Sequence, residues 1–318
     1  MKTKITKEQK STVKLQVTVP ADKVKSTYNS IFEELVKNTE LPGFRKGQAP
    51  KNLVEEKTDV SKLYGDVINE LLKIYYPQAL KEHLLQPIAN PKVEVTEFDL
   101  DKDFEFTATV AIMPDVKVGD YIKALKKIHK ENSEKIRAEN AEKLKRGEAI
   151  TGHDHAHLSP DEVVNSIVEV TTAEVADLVI EDEVDRMMTR LVDQAQAVGI
   201  SLEQYLKSQN KTADQLREDY GVIALRNLKA EFALDHLLKK SKIEVSDAEV
   251  EEMVKATGDT ETEALMQNPM QKMYVKSILA KNKLISNIIK EVEGDLHSED
   301  NSQTKKNSGP SKAGKGKK

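Results

Sequence analysis

Phe104-Glu105-Phe106-Thr107-Ala108-Thr109-Val110-Ala111-Ile112-Met113-Pro114 is the stretch of this 318-residue chain that commits most firmly to one conformation. Phe104, Phe106, Ala108, Val110 and Ile112 recur at every second position, the period of a strand with one face against a core. Pro114 ends the run, where a missing amide donor is tolerated. Upstream, Val93 and Val95, with Phe98 beyond them, predict a second strand joined to the first by a hairpin-like link at 99–103. Near the N-terminus, Val13, Leu15 and Val17 alternate up to Pro20 and predict a third.

Helices fill the intervening sequence. Val24, Tyr28, Ile31, Phe32 and Leu35 fall three and four apart between Ala21 and Lys37. From Leu53 to about Leu85, Leu63, Val67, Leu71, Leu72 and Tyr75 supply another stripe, with an interruption expected near Pro77. Strand, helices and two closing strands predict a compact α+β domain over 1–121, with helices packed on a small antiparallel sheet.

The texture changes after this domain. Residues 122–148 contain good helix formers but only a thin apolar stripe of Ile122, Leu125, Ile128, Ile136 and Leu144, which predicts an exposed helix or linker. A Gly- and Pro-marked loop follows, giving a linker over 122–164. Residues 165–293 read as a mainly α-helical domain. Thr212 with Gln215 and Ser246 with Glu249 are capping-box pairs at two of its helix starts. Residues 294–318 carry no apolar spacing and predict a disordered, Lys-rich tail.

Composition closes off several kinds of chemistry. The chain has no Cys, which excludes disulfides, thiolate catalysis and cysteine-ligated zinc. Aromatics are 4% and Trp is absent, so no large aromatic pocket is advertised. Net charge is about −1 over 1–120, about −10 over 121–300 and about +6 over 301–318, an acidic body unlike a general duplex-DNA binder. No apolar run reaches the roughly 18 residues of a membrane span, and the basic N-terminus develops no secretory core, so a cytoplasmic chain is expected with no membrane partner. No GxxxxGK[ST] phosphate loop is present, and no nucleophile–base motif accompanies the histidines.

The segment Pro42-Gly43-Phe44-Arg45-Lys46-Gly47-Gln48-Ala49-Pro50 carries the functional signal. Two glycines and two prolines punctuate a loop whose tip sets an aromatic ring beside a forked and a point cation. From the residues alone this is either a docking device or a solvated turn whose Phe44 folds back into the core. Here the chain resembles the trigger factor family of ribosome-associated bacterial chaperones. GFRKGQAP matches that family's GFRKGK-x-P signature except at Gln48, which removes one positive charge. FEFTATVAIMPDVKVGDY, 104–121, resembles the end of the family's first domain; 177–219 and 232–254 resemble its helical domain.

The resemblance covers about 1–121 and 165–293. It implies a ribosome-docking loop of Gly43, Phe44, Arg45, Lys46, Gly47 and Pro50. The partner would be a ribosomal protein near the exit tunnel, with ribosomal RNA adjacent. It also implies arm-like helices that shield unfolded or nascent polypeptides without ATP and so assist folding and export. Met187, Met188, Met253, Met266, Met270 and Met273 are the adaptable side chains proposed to touch clients.

Family members usually insert an FKBP-like prolyl isomerase domain between the two regions. Here only 122–164 occupies that place, and no Phe, Tyr or Trp occurs from Ile122 through Gln204. No catalytic residues, cofactor or intrinsic isomerase activity are therefore expected. An isomerase-chaperone in the family sense and a non-ribosomal holdase or assembly factor are the competing readings. His153, His155 and His157 in GHDHAH are taken as a surface chelator at most, and no metal site is assigned.

Overall fold

The computed structural model describes residues 1–95, 97–148, 156–257 and 268–307, with side chains described throughout these except at 255–257 and 295–307. Contacts divide the chain into two compact units, Met1–Asp115 with Glu174–Ala224, and Val116–Ala173 with Leu225–Lys318.

The first unit is built on a four-stranded antiparallel sheet. Its strands are β1 (Lys2–Lys7), β2 (Thr12–Val19), β3 (Lys92–Val95) and β4 (Phe104–Ala111), in the spatial order β1-β2-β4-β3. The register sets Leu15 opposite Ala108 and Val17 opposite Phe106, so both alternating runs point to one face. That face packs against α1 (Ala21–Asn38) and α3 (Val60–Glu82), enclosing Leu15, Val17, Val24, Val67, Leu71 and Phe106. Burial of such side chains, each worth roughly 1.5–3 kcal/mol, is what fixes the helices on the sheet. Phe98 is not part of β3, yet its ring meets Tyr64 and Phe104 edge-on, at centroid separations of 5.1 and 5.7 Å.

Several local features depart from the sequence reading. β1 was not visible in the pattern, because KTKITK offers only Ile5 to the core while its lysines blunt an exposed sheet edge. The helix expected over 53–85 is two helices, α2 (Lys51–Lys57) and α3, divided at Thr58-Asp59. The Asp59 carboxylate accepts the Ser61 amide at 3.0 Å and starts the second helix. Pro77 does not interrupt α3, which continues to Glu82. Leu71 on one side and Ala79 on the other are both fully buried, so packing holds the helix across the missing amide donor.

The same unit contains α6 (Asp177–Ala197), α7 (Leu202–Ser208) and the first part of α8 (Ala213–Ser241). Ser201–Gln204 and Thr212–Gln215 close reciprocal caps at the starts of α7 and α8. Arg217 reaches from α8 to Asp185 on α6 at 2.8 Å.

The second unit gathers α4 (Tyr121–Lys145), α5 (Pro160–Glu169), the rest of α8, α9 (Asp247–Thr257) and α10 (Pro269–Asn307). A two-residue pairing of β5 (Lys117–Val118) with β6 (Thr171–Thr172) joins the two ends of the α4–α5 segment. Leu125, Val163, Ile167, Ala233, Leu234, Ile288 and Val292 make its core.

The exposed helix expected over 122–148 is only half correct. Leu125, His129 and Ser133 are buried on the inner face of α4, and residues 141–148 are all exposed. A thin stripe of one apolar residue per turn suffices here because α5 and α10 both pack on it. α10 runs past Gly294, where the sequence reading began the tail, and 308–318 lie outside the described residues.

Exposed ion pairs fasten α9 to α10. Asp247 accepts Lys272 at 2.6 Å and also Lys276, while Glu249 accepts Lys283 and closes the cap with Ser246. The lysine hydrogen bonds hold both carboxyls at about 2, with the Ser246 amide assisting Glu249. Both are depressed below their unfolded values near 4. Their stabilising contribution is therefore complete above about pH 4 and lost as pH falls towards about 2. Amide exchange in α9 is expected to accelerate across that window ahead of exchange in the β2–β4 sheet. Equal acceleration of both would show that the pairs do not govern α9.

Candidate functional site

The loop between α1 and α2 is closed at its base by the backbone. The Thr39 amide donates to Leu35 O at 2.9 Å and ends α1, and Thr39 O accepts the Gly47 amide at 3.1 Å. Within the loop, Phe44 N–H donates to Leu41 O and Gln48 N–H to Arg45 O, both at 2.9 Å. Pro50 then caps α2, accepting the Leu53 amide at 3.0 Å. Ala49 is buried with Phe32, Val36, Val54 and Leu63, and Leu41 packs on the same cluster. Both ends of the loop are thus pinned to the core, and its tip is not.

Both glycines are at positive φ, +91° at Gly43 and +75° at Gly47. They differ in surroundings. A Cβ on Gly43 meets nothing within 4 Å, whereas one on Gly47 lies 2.9 Å from the carbonyl oxygen of Lys37. Only glycine allows the chain to rest this closely on the last turn of α1.

Phe44 does not fold back into the core. Its side chain is 39% exposed and stands outside the cluster that holds Leu41 and Ala49. Arg45 and Lys46 are exposed beside it, and among the described residues neither enters an ion pair. Lys51, immediately after the loop, is engaged: its ammonium donates to Glu33 at 3.0 Å and holds that carboxyl below the usual range. The result is an aromatic ring and two unpaired cations presented on a pinned backbone, a surface suited to an anionic partner with an apolar recess.

The six methionines do not form one group. Met187 and Met188 are half-buried on α6 of the first unit. In the second unit, Met270 and Met273 are 79% and 71% exposed, with Met253 exposed on α9; Met266 lies outside the described residues. Sequence reading missed Tyr274, which is exposed with Met270 and Met273 on one face of α10 at positions i, i+3 and i+4. Met270 and Met273 were named in the sequence as adaptable side chains, but nothing in their spacing distinguished an uncovered position from a core one. Val198 and Ile200 after α6, and Val222 and Ile223 on α8, are further exposed apolar positions in the first unit.

Of the histidine loop, His153 and His155 lie outside the described residues. His157 Nδ1 is 3.5 Å from Glu293, whose other carboxylate oxygen accepts the Leu158 amide at 2.9 Å. Among the described residues no group of three or more His, Cys, Asp or Glu side chains could hold a metal, and no helix is long and apolar enough to cross a membrane.

The chain thus combines an α+β domain bearing a pinned aromatic–basic loop with helices that expose apolar side chains. Two family models fit it in sequence. "Bacterial trigger factor protein (TF)" matches residues 1–146, and "Bacterial trigger factor protein (TF) C-terminus" matches 121–292. The chain belongs to the trigger factor family.

Trigger factors of Staphylococcus aureus strains JH9 and Newman are each 44% identical to it over 120 residues. The match takes in 38% of this chain and only 27% of each relative's length. A solved structure described as "Promiscuous Substrate Recognition in Folding and Assembly Activities of the Trigger Factor Chaperone" aligns over 92% of this chain and 100% of its own. Its TM-score is 0.61 at 14% identity, a likeness of fold. The two family models overlap across 121–146, which leaves no interval between them for a middle domain.

Proposed function

We propose that this chain is an ATP-independent chaperone of the cytoplasm that docks by its 41–50 loop near the ribosomal exit tunnel and shields apolar segments of emerging polypeptides. The observation that carries the reading is the uncovered Phe44–Arg45–Lys46 tip on a backbone fixed at Thr39, Gly47 and Ala49. Its docking partner is a ribosomal protein with ribosomal RNA beside it. Met270, Met273 and Tyr274 on α10, Met253 on α9, and the half-buried Met187 and Met188 on α6 supply adaptable client surface. Several patches, each gaining about 25 cal/mol per Å² of apolar area covered, bind weakly and release without fuel. Tethering offsets the weak binding by raising the local concentration of nascent chain.

Ribosome cosedimentation run beside suppression of aggregation of a chemically denatured client tests the proposal. Failure of both would sink it. Aggregation suppression without cosedimentation would favour the non-ribosomal holdase, which the Gln48 departure makes the natural second reading.

Prolyl isomerisation is assigned no part in the activity. Its barrier is about 18–20 kcal/mol, and lowering it needs a pocket that holds and twists the imide. In this chain α4 and α5 occupy the interval, and Tyr121, Ile122, Leu125, Ile128, Val163, Val164 and Ile167 on them pack into the second unit's core. In a protease-coupled proline-peptide assay the purified chain is expected to leave the spontaneous rate unchanged. An FKBP-like acceleration would overturn that assignment.

A further inference from the structure

We infer that Lys37, which lies outside the loop signature, is a further docking residue that supplies the cation missing at Gln48 and meets a phosphate of ribosomal RNA. The inference rests on the docking role proposed for the loop and extends it to α1.

Backbone proximity places Lys37 at the loop. A Cβ built on Gly47 falls 3.5 Å from the Lys37 Cα and 2.9 Å from its carbonyl oxygen. With about 3.8 Å between consecutive Cα atoms, the Lys37 and Lys46 backbones are less than about 9 Å apart. That backbone separation is close to one Debye length at physiological ionic strength, so a polyanion seated on the loop lies within the field of Lys37 as well as Lys46.

Its charge is also left available. Glu33, four residues earlier on α1, is the ordinary helical partner for a lysine at this position. That carboxylate is taken by Lys51 at 3.0 Å, and Lys51 is the first cause of its lowered pKa, with Lys37 the last. Lys37 is exposed and, among the described residues, enters no ion pair.

Of the two partners in the proposed docking site, the RNA carries a negative charge on every nucleotide and so sets the denser anionic field around Lys37. A lysine ammonium is a compact point charge with no fork, a common partner for phosphate oxygen.

The test measures ribosome affinity of the full chain against salt for Lys37→Gln, Lys37→Arg, Gln48→Lys and the Lys37→Gln/Gln48→Lys double variant. Lys37→Gln is expected to weaken binding roughly two- to five-fold. It should also lower the slope of log K against log salt by about 0.7–0.9, the loss of one phosphate contact. Lys37→Arg should keep both quantities, and Gln48→Lys should restore them in the double variant. Wild-type affinity and slope for Lys37→Gln would overturn the inference. A weakened affinity with an unchanged slope would overturn it too, because the partner would then be protein. Loss of binding when the loop tip itself is replaced, with Lys37→Gln silent, would leave the docking proposal standing and this one refuted.

Discussion

Replacing Phe44, Arg45 and Lys46 together by Ala is expected to abolish ribosome cosedimentation while leaving the fold intact. Aromatic and arginine anchors at an interface centre each contribute about 2 kcal/mol or more, so loss of the set should weaken binding by roughly 100-fold or beyond. The fold should survive because none of the three side chains supports it. Phe44 lies outside the cluster beneath the loop, and Arg45 and Lys46 have no ion pair among the described residues. The three hydrogen bonds that shape the loop run between backbone groups, which Ala retains. Thermal unfolding should therefore shift by no more than an ordinary surface substitution, about 0.5 kcal/mol per site. Client aggregation in free solution should still be suppressed, since the exposed side chains of α9 and α10 are untouched. Wild-type ribosome binding by a folded triple variant would remove the loop from the docking surface.

What could be foreseen in the sequence follows from how many residues each feature needs to declare itself. β2 and β4 were legible because four or more alternating apolar side chains face one core. β1 was not, since its place in the sheet rests on backbone pairing to β2 and one apolar residue, Ile5. The pairing of β5 with β6 involves two residues on each side, too few for any period. In α4, periodicity gave the helix but not its burial, which depends on α5 and α10 arriving from other parts of the chain. The same holds for the candidate site. GFRKGQAP could be recognised, but whether Phe44 was buried turned on where Ala49 and Leu41 anchor. Met270 and Met273 could be named, and their exposure could not. Lys37 lay wholly beyond reach, because only the contact of Gly47 with the end of α1 brings it to the loop.

That contact yields the second large effect, read from two glycines that look alike in sequence. At both, an alanine must hold a left-handed conformation, costing about 1–2 kcal/mol. At Gly43 that is the whole cost, since the new methyl enters open space. At Gly47 the methyl would lie 2.9 Å from the Lys37 carbonyl oxygen, and a helix backbone cannot swing aside as a flexible side chain can. The loop must lift away, breaking the Gly47–Thr39 hydrogen bond that closes its base. Gly47→Ala is therefore expected to lose roughly 3 kcal/mol of stability and ten-fold or more in ribosome affinity, against a few-fold at most for Gly43→Ala. Asparagine separates the two causes, because it tolerates the left-handed region yet still carries a Cβ. Gly43→Asn should bind ribosomes nearly as the natural chain does, whereas Gly47→Asn should fail with Gly47→Ala. Recovery of binding by Gly47→Asn would mean that backbone conformation alone, and not the seat on α1, fixes the docking tip.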